Sequence, residues 1–136
     1  MSYVLGEERE TASPYVHLTG WGWVFAGLLV VTKALDAGTT AVGLMLVPGF
    51  VEGNPLAATV LNSSSVGAGL LSLSLLVVFG VGLVTEIGAR YLAGHPDAPD
   101  WSPTLTRMVG YGPLSVIFAA AAIHNAGLII RVVLSG

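Results

Sequence analysis

Three long stretches of apolar residues separate short polar segments along the chain. No formal charge occurs at positions 53–85 or 108–130, and a third apolar stretch covers 21–51 with Lys33 and Asp36 inside it. A helix needs about 20 apolar residues to cross about 30 Å of hydrocarbon, because it rises 1.5 Å per residue. The pattern therefore predicts three membrane-spanning helices.

We predict spans at about 21–47, 64–92 and 113–134, joined by short loops. Only helices fit these runs, because lipid offers backbone groups no hydrogen-bond partners and the runs lack the alternation of a barrel strand. The predicted fold is an all-α integral membrane protein. Residues 1–136 form a single transmembrane domain in which 1–19 are a polar N-terminal tail.

Proline and glycine mark the end of the first predicted helix. Pro48 and Gly49 stop it, and Asn54 followed by Pro55 is typical of an N-cap with proline at the first helical position. We therefore expect a short re-entrant or interfacial helix at 55–62, before the second span.

Proline and glycine also mark loops and helix ends in the second half of the chain. Residues 94–100 contain glycine, two prolines and two aspartates, which predicts an aqueous loop. The run 110–113 ends in Pro113 and is expected to break or kink a helix. Residues 104–109 are accordingly predicted to form a brief interfacial helix of their own.

The composition narrows the class of protein. Apolar residues make up 54% of the chain and charged ones 10%, with a mean hydropathy of +0.80. A globular domain has about 25% charged residues, so a water-soluble fold is excluded. The absence of cysteine excludes disulfides, thiolate metal sites and a cysteine nucleophile. A net charge of −3 argues against nucleic acid as a partner. We expect a protein of the cell membrane, surrounded by the lipid bilayer.

The cationic residues near the predicted helix ends indicate an orientation. Arg9, Arg90 and Arg107 fall on the side of the N-terminus and the second loop, whereas Arg131 is alone on the opposite side. Cationic residues favour the cytoplasmic side, which predicts a cytoplasmic N-terminus. Five aromatic residues are expected at the same boundary: Trp21, Trp23, Tyr91, Trp101 and Tyr111.

Lys33 and Asp36 stand inside the first span, where each charge costs roughly 3 kcal/mol. Three arrangements could offset the cost of these charges: mutual pairing at i, i+3, protonation of Asp36, or a polar partner on another helix. A structural ion pair is the simplest interpretation. Glu86 and Arg90, four residues apart near the inner surface, are also predicted to pair with each other.

Depth along the helices suggests further partners. Asp36 lies roughly 24 Å along the first helix and His124 roughly 17 Å beyond Pro113, so we expect the two side chains to meet inside the protein. A re-entrant segment would lower Glu52 and Asn54 towards the same place. The predicted buried polar cluster, a candidate binding site, consists of Lys33, Asp36, Thr39, Glu52, Asn54, His124 and Asn125.

The first half of the chain carries two short motifs, an intramembrane D-x-x-T followed by G-x-x-E-x-N-P. Their residues are Asp36 and Thr39, then Gly49, Glu52, Asn54 and Pro55. Together the motifs resemble a small prokaryotic multi-pass membrane family, a domain of unknown function. The resemblance implies a multi-helix membrane fold and no particular activity. The low lysine content and the acidic tail are similar to those of proteins from salt-loving archaea.

Three classes of function share this cluster. The first is a non-enzymatic membrane subunit that self-associates or joins a larger membrane complex, with Asp36 and His124 fixing the helix packing. The second is translocation of protons or cations through the cluster. The third is a metal-dependent intramembrane enzyme acting on lipid, with Asp36 and His124 as candidate ligands. We favour the first, assign no metal site or cofactor, and find no protease motif such as H-E-x-x-H.

Overall fold

The prediction of an all-α fold is confirmed, and the described residues contain no strand. The computed structural model describes residues 20–47, 49, 58–59 and 65–135. Its three long helices are α1 (Gly20–Leu46), α2 (Val66–Ala93) and α3 (Ser102–Ser135). They measure about 40, 42 and 51 Å at 1.5 Å per residue, and their most apolar windows have mean hydropathies of 1.4, 2.3 and 1.9. Each is long and apolar enough to cross a membrane.

The helix ends follow from local chemistry. Beyond α1, Gly49 has φ of 76°, a left-handed conformation that favours glycine after a helix. Before α2, Ser65 is extended and its hydroxyl accepts a hydrogen bond from the backbone N–H of Ala68 at 3.4 Å. The segment 55–62, where we predicted a short helix, lies outside the described residues except for Ala58 and Thr59.

The third helix corrects one prediction. A break or a kink was expected at 110–113, and the break is absent: α3 runs without interruption from Ser102 to Ser135 with Pro113 inside it, so residues 104–109 do not form a helix of their own. The ring of Pro113 is exposed on the outside of the bundle, and Tyr111, in the turn before it, is anchored to α2. Membrane helices tolerate an internal proline where neighbouring groups satisfy the backbone carbonyl that the proline leaves without its hydrogen bond. The helix therefore starts eleven residues before the predicted span.

Contacts between side chains give the helix directions. Lys33 contacts Phe118 and Thr40 contacts Asn125, and the residues of both pairs are 85 positions apart. A constant offset over seven residues means that α1 and α3 are parallel. On α2, by contrast, Thr85 lies next to Gly110 of α3, and Gly88, three residues later, lies next to Thr106, which is four residues earlier. Hence α2 is antiparallel to α3, and α1 packs mainly on α3.

Polar side chains occupy the interior of this bundle and large apolar side chains cover its outside. Buried polar residues include Thr32, Thr40, Thr85 and Ser115. Exposed apolar residues on α2 include Leu71, Leu76, Phe79, Leu83, Val84 and Ile87. Water would favour the opposite distribution, whereas lipid solvates apolar side chains and requires polar groups to find partners inside. The distribution is that of a protein surrounded by lipid.

Candidate functional site

Lys33 and Asp36 form an ion pair on the inward-facing side of α1. The Lys33 ammonium lies 2.7 Å from Asp36 Oδ2, and the two side chains are 12% and 14% exposed. The same ammonium is 4.5 Å from the centroid of the Phe118 ring on α3, which adds a cation–π interaction. Of the three expected ways to offset these charges, the structure shows mutual pairing. The pair carries no net charge, so α1 avoids placing an isolated ion in the membrane.

The neighbouring hydroxyl groups act in two different ways. Thr39 donates to the carbonyl oxygens of Leu35 and Asp36, at 2.9 and 3.1 Å, so its side-chain bonds remain within α1. Thr40 is buried and accepts a hydrogen bond from the Asn125 amide nitrogen at 3.0 Å. Thr40 and Asn125 therefore join α1 to α3, seven residues beyond the contact of Lys33 with Phe118.

The structure does not bring His124 to Asp36. The constant offset between α1 and α3 places Asp36 level with Ala121, about one helical turn before His124. The two residues thus have similar depths, as expected, but the imidazole is rotated about 100° from Asn125, which faces α1. Within the part of the chain that the structure describes, His124 is exposed and has no hydrogen bond or ion pair.

Of the seven residues in the predicted cluster, the structure joins Lys33 to Asp36 by an ion pair. Asn125 bonds to Thr40, the neighbour of Thr39, which the sequence places at the same depth. Glu52 and Asn54 lie outside the described residues. The predicted cluster is therefore two separate contacts: an ion pair within α1, and a hydrogen bond between α1 and α3. The His124 imidazole takes part in neither.

A second charged cluster, which the spacing along the chain did not predict, joins α2 to α3. Arg107 donates to Glu86 through two nitrogens, Nε to Oε1 at 2.9 Å and Nη2 to Oε2 at 2.8 Å. The Tyr111 hydroxyl donates to Glu86 Oε1 at 3.0 Å. Arg107 is only 1% exposed. A bidentate arginine–carboxylate pair of this kind fixes both the distance and the orientation of two helices.

This cluster corrects the prediction for Glu86. Glu86 pairs with Arg107 and not with Arg90, which is exposed. Tyr111, one of the five aromatic residues expected at the membrane boundary, is buried against Glu86, whereas the other four are exposed. The spacing of Arg107 and Tyr111, four residues apart, could have revealed a common helix face. Because the third span was predicted to start at Pro113, Arg107 and Tyr111 both fell outside it, and their common helix face was not considered.

A close approach of the two helices lies next to this cluster. A methyl group at Gly110 would overlap with the Thr85 hydroxyl and would come within 2.7 Å of the Thr85 methyl. Gly110 is the residue before Tyr111, and Thr85 is the residue before Glu86. Close approach through small residues and an interhelical ion pair thus coincide within one helical turn, near the end of the bundle where α2 ends and α3 begins.

Two open grooves on the bundle have no ionisable lining. One, between α1 and α3, is lined by Gly38, Thr39, Val42, Ala126, Ile129 and Ile130. The other, between α2 and α3, is lined by Gly80, Val81, Val84, Thr85, Gly110 and Leu114. The polar side chains that line them are those of Thr39 in the first groove and Thr85 in the second. Among the described residues, no three histidine, aspartate or glutamate side chains are grouped as metal ligands would be.

The fold and the paired charges define a class of protein: a multi-pass membrane protein, with three helices in its described part that are long and apolar enough to span a membrane. We find no match between this chain and any protein family, curated protein or solved structure.

Proposed function

We propose that this chain is a non-enzymatic membrane subunit that acts by packing its helices within an assembly, either with copies of itself or in a larger membrane complex. The observation that carries the proposal is the pairing of charges inside the spans. Both pairs are neutral: Glu86 and Arg107 join α2 to α3, and Lys33, which is paired with Asp36 within α1, also contacts Phe118 of α3. Such pairs set helix register, which is the best attested use of buried ionic groups.

The amount of exposed surface also supports an assembly. Within one chain, 22%, 11% and 6% of the most apolar windows of α1, α2 and α3 are buried. Helix association in lipid depends on packing and on hydrogen bonds, so large free faces leave room for neighbouring helices.

The test is the mass of the native assembly, extracted with its lipids and measured intact. We expect more than one copy of the 13.9 kDa chain, or one copy bound stoichiometrically to another membrane protein. Asp36→Asn, which breaks the ion pair, should change that mass with no dependence on added ions. A chain that remains a single copy without a partner at its native concentration in lipid would overturn the proposal.

Translocation of protons or cations is the second candidate, and one observation favours it. Asp36 uses Oδ2 to bind Lys33, while Oδ1 has no hydrogen-bond partner in the described part of the chain. An available carboxylate oxygen inside a span is a typical proton or cation ligand. Liposomes that contain the protein should then show a flux driven by pH or by an ion gradient. Asp36→Asn should abolish this flux, and an unchanged flux would exclude the candidate.

We further propose that the N-terminus faces the cytoplasm. The end of the bundle where α1 begins carries Arg90, and exposed aromatic residues surround it: Trp21, Trp23, Tyr91 and Trp101. The opposite end carries Arg131. Because the chain has no cysteine, Asp97→Cys and Ser135→Cys each provide one labelling site. A membrane-impermeant maleimide added outside intact cells should label position 135 and not position 97, and the reverse result would invert the topology.

A further inference from the structure

Arg107 keeps part of its hydrogen-bonding capacity although it is almost completely buried. Its Nε and Nη2 bind Glu86, whereas Nη1 has no hydrogen-bond partner in the described part of the chain. Among those residues, Ser74 Oγ is the one side-chain atom that is both completely buried and unpartnered, so Arg107 Nη1 retains contact with its surroundings. A guanidinium nitrogen with two free N–H groups, in a side chain that is 2% exposed, can bind an anionic oxygen strongly.

The register of the bundle places Arg107 beside the first turn of α1. Arg107 lies 11 residues before Phe118 and 18 residues before Asn125, or about three and five helical turns, so all three share the face of α3 that contacts α1. The constant offset of 85 residues makes Gly22 the residue of α1 at the level of Arg107. Gly22 is buried and is the third residue of α1, where backbone N–H groups have no partner inside the helix.

Positive charge is in excess at this end of the bundle. The first turn of α1 contributes unpaired N–H groups and the positive end of the helix dipole. Arg90, which is exposed, lies one turn beyond Glu86 on the same side of α2. Together with Arg107, the group of two arginines and one glutamate has a net charge of about +1. Asp97 and Asp100 belong to the exposed loop beyond Arg90, where water and salt screen their charges.

The depth of this group is that of lipid headgroups. Gly22 stands between Trp21 and Trp23, which are both 65% exposed, and the same end of the bundle carries the exposed rings of Tyr91 and Trp101. Exposed tryptophan and tyrosine side chains are enriched at the level of the headgroups. The anion that a bilayer supplies at this depth is the phosphate of a phospholipid.

We propose that an anionic phospholipid binds at this end of the bundle, with a phosphate oxygen between the first turn of α1 and Arg107 Nη1 and with Arg90 beside the headgroup. Phosphate suits both partners, because it accepts hydrogen bonds from helix N-termini and from arginine. The net charge of the group favours an anionic headgroup over a zwitterionic one. All of these residues belong to one chain, so the lipid site goes beyond the proposed function and does not depend on the assembly.

Native mass spectrometry of the chain in detergent tests the site with added lipid of defined structure. Phosphatidylglycerol is the probe, and diacylglycerol with the same acyl chains is the control that lacks the phosphate. We expect one tightly bound phosphatidylglycerol per chain, weaker binding as the salt concentration rises, and no comparable binding of diacylglycerol. Inorganic phosphate should not displace the lipid, because it has no acyl chains to hold it at the bundle.

Arg90 and Arg131 provide a matched pair of variants, because both are exposed and they lie at opposite ends of the bundle. Arg90→Gln should weaken binding of phosphatidylglycerol by about fivefold, the usual effect of one basic residue at an anionic surface. Arg131→Gln removes the same charge and should leave the affinity of this site unchanged.

A charge-neutral double variant tests Arg107 itself. Arg107→Met combined with Glu86→Gln removes a cation and an anion together, so the net charge of the group is retained and no buried ion is left unpaired. We expect it to lose about tenfold or more in affinity for phosphatidylglycerol, because Nη1 is gone. Thermal unfolding without lipid verifies that the variant folds, and the comparison of Arg90 with Arg131 does not require it.

Four results would overturn the lipid site. They are equal binding of phosphatidylglycerol and diacylglycerol, equal effects of Arg90→Gln and Arg131→Gln, parental affinity in the folded double variant, and displacement of the lipid by inorganic phosphate, which would assign the site to a free anion. None of these results bears on the mass of the native assembly, so the lipid site and the proposed function can fail separately.

Discussion

Gly110 and Thr85 stand so close together that a methyl group on Gly110 would overlap with the Thr85 side chain. Gly110→Ala should therefore push α2 and α3 apart and lower the free energy of unfolding by about 1–3 kcal/mol, the usual cost of overpacking. Thermal or denaturant unfolding in detergent measures this change.

Gly112→Ala is the matched control, because a methyl group there meets no atom within 4 Å. Alanine is also the better helix former, so this variant should be as stable as the parent or slightly more stable. Equal loss of stability in both variants would show that the contact between Gly110 and Thr85 does not limit the approach of the helices.

Glu86→Gln should destabilise the bundle strongly. It leaves Arg107 buried without its counter-charge, and breaking one side of a buried pair costs about 3–5 kcal/mol; the partial exposure of Glu86 should place the effect at the lower end. Arg90→Gln removes an exposed charge from the same helix and should change stability by less than about 0.5 kcal/mol. Similar unfolding curves for the two variants would contradict the assigned pair.

Substitutions of the two residues that form the ion pair in α1 should have strongly non-additive effects on insertion and stability. Lys33→Met and Asp36→Leu each leave one charge inside the span without a partner, whereas the double variant removes both charges. We expect each single variant to insert and fold less well than the parent chain and the double variant to recover most of the loss. The insertion efficiency of α1 and the stability of the whole chain, measured as a double-mutant cycle, test this. Additive losses would refute the coupling.

Two adjacent threonines should respond differently to the same substitution. Thr40→Val removes the acceptor of the hydrogen bond from Asn125 and should destabilise the contact of α1 with α3 by about 0.6–1.7 kcal/mol. Thr39→Val removes a hydroxyl that bonds only within its own helix, so its effect should be smaller. The difference in unfolding free energy between the two variants is the quantity to measure, and a difference of zero would argue against the interhelical bond.

Ser74 has a buried hydroxyl with no hydrogen-bond partner in the described part of the chain. Ser74→Ala should raise the unfolding free energy by about 1 kcal/mol, because it removes an unsatisfied polar group. Ser115→Ala is the contrasting variant, because the Ser115 hydroxyl donates to the Tyr111 carbonyl at 2.8 Å and its loss should be destabilising. A loss of stability in Ser74→Ala would mean that the hydroxyl has a partner in the membrane.

Hydropathy alone was sufficient to predict the three helices, because the bilayer demands long apolar segments whatever their tertiary contacts. The partners of the charged residues were harder to predict. Lys33 and Asp36 are three residues apart on one helix, so their pairing follows from sequence spacing. Glu86 has a candidate partner at the same kind of spacing, Arg90, and yet pairs across the bundle with Arg107.

The reason for that error is geometric. Which side of a helix faces its neighbour depends on helix rotation and crossing, and these depend on contacts such as that of Gly110 with Thr85. The same limit applies to His124. Its depth could be counted along the chain, but the face it occupies follows from the residues of α3 that meet α1.

The two ion pairs also differ in when they can form during synthesis. Lys33 and Asp36 belong to one helix, so α1 can leave the translocation machinery for the bilayer with its charges already neutralised. Glu86 is synthesised 21 residues before Arg107, so its carboxylate lacks this partner until α3 follows. We therefore expect α1 to enter the bilayer on its own and α2 and α3 to enter together as a hairpin.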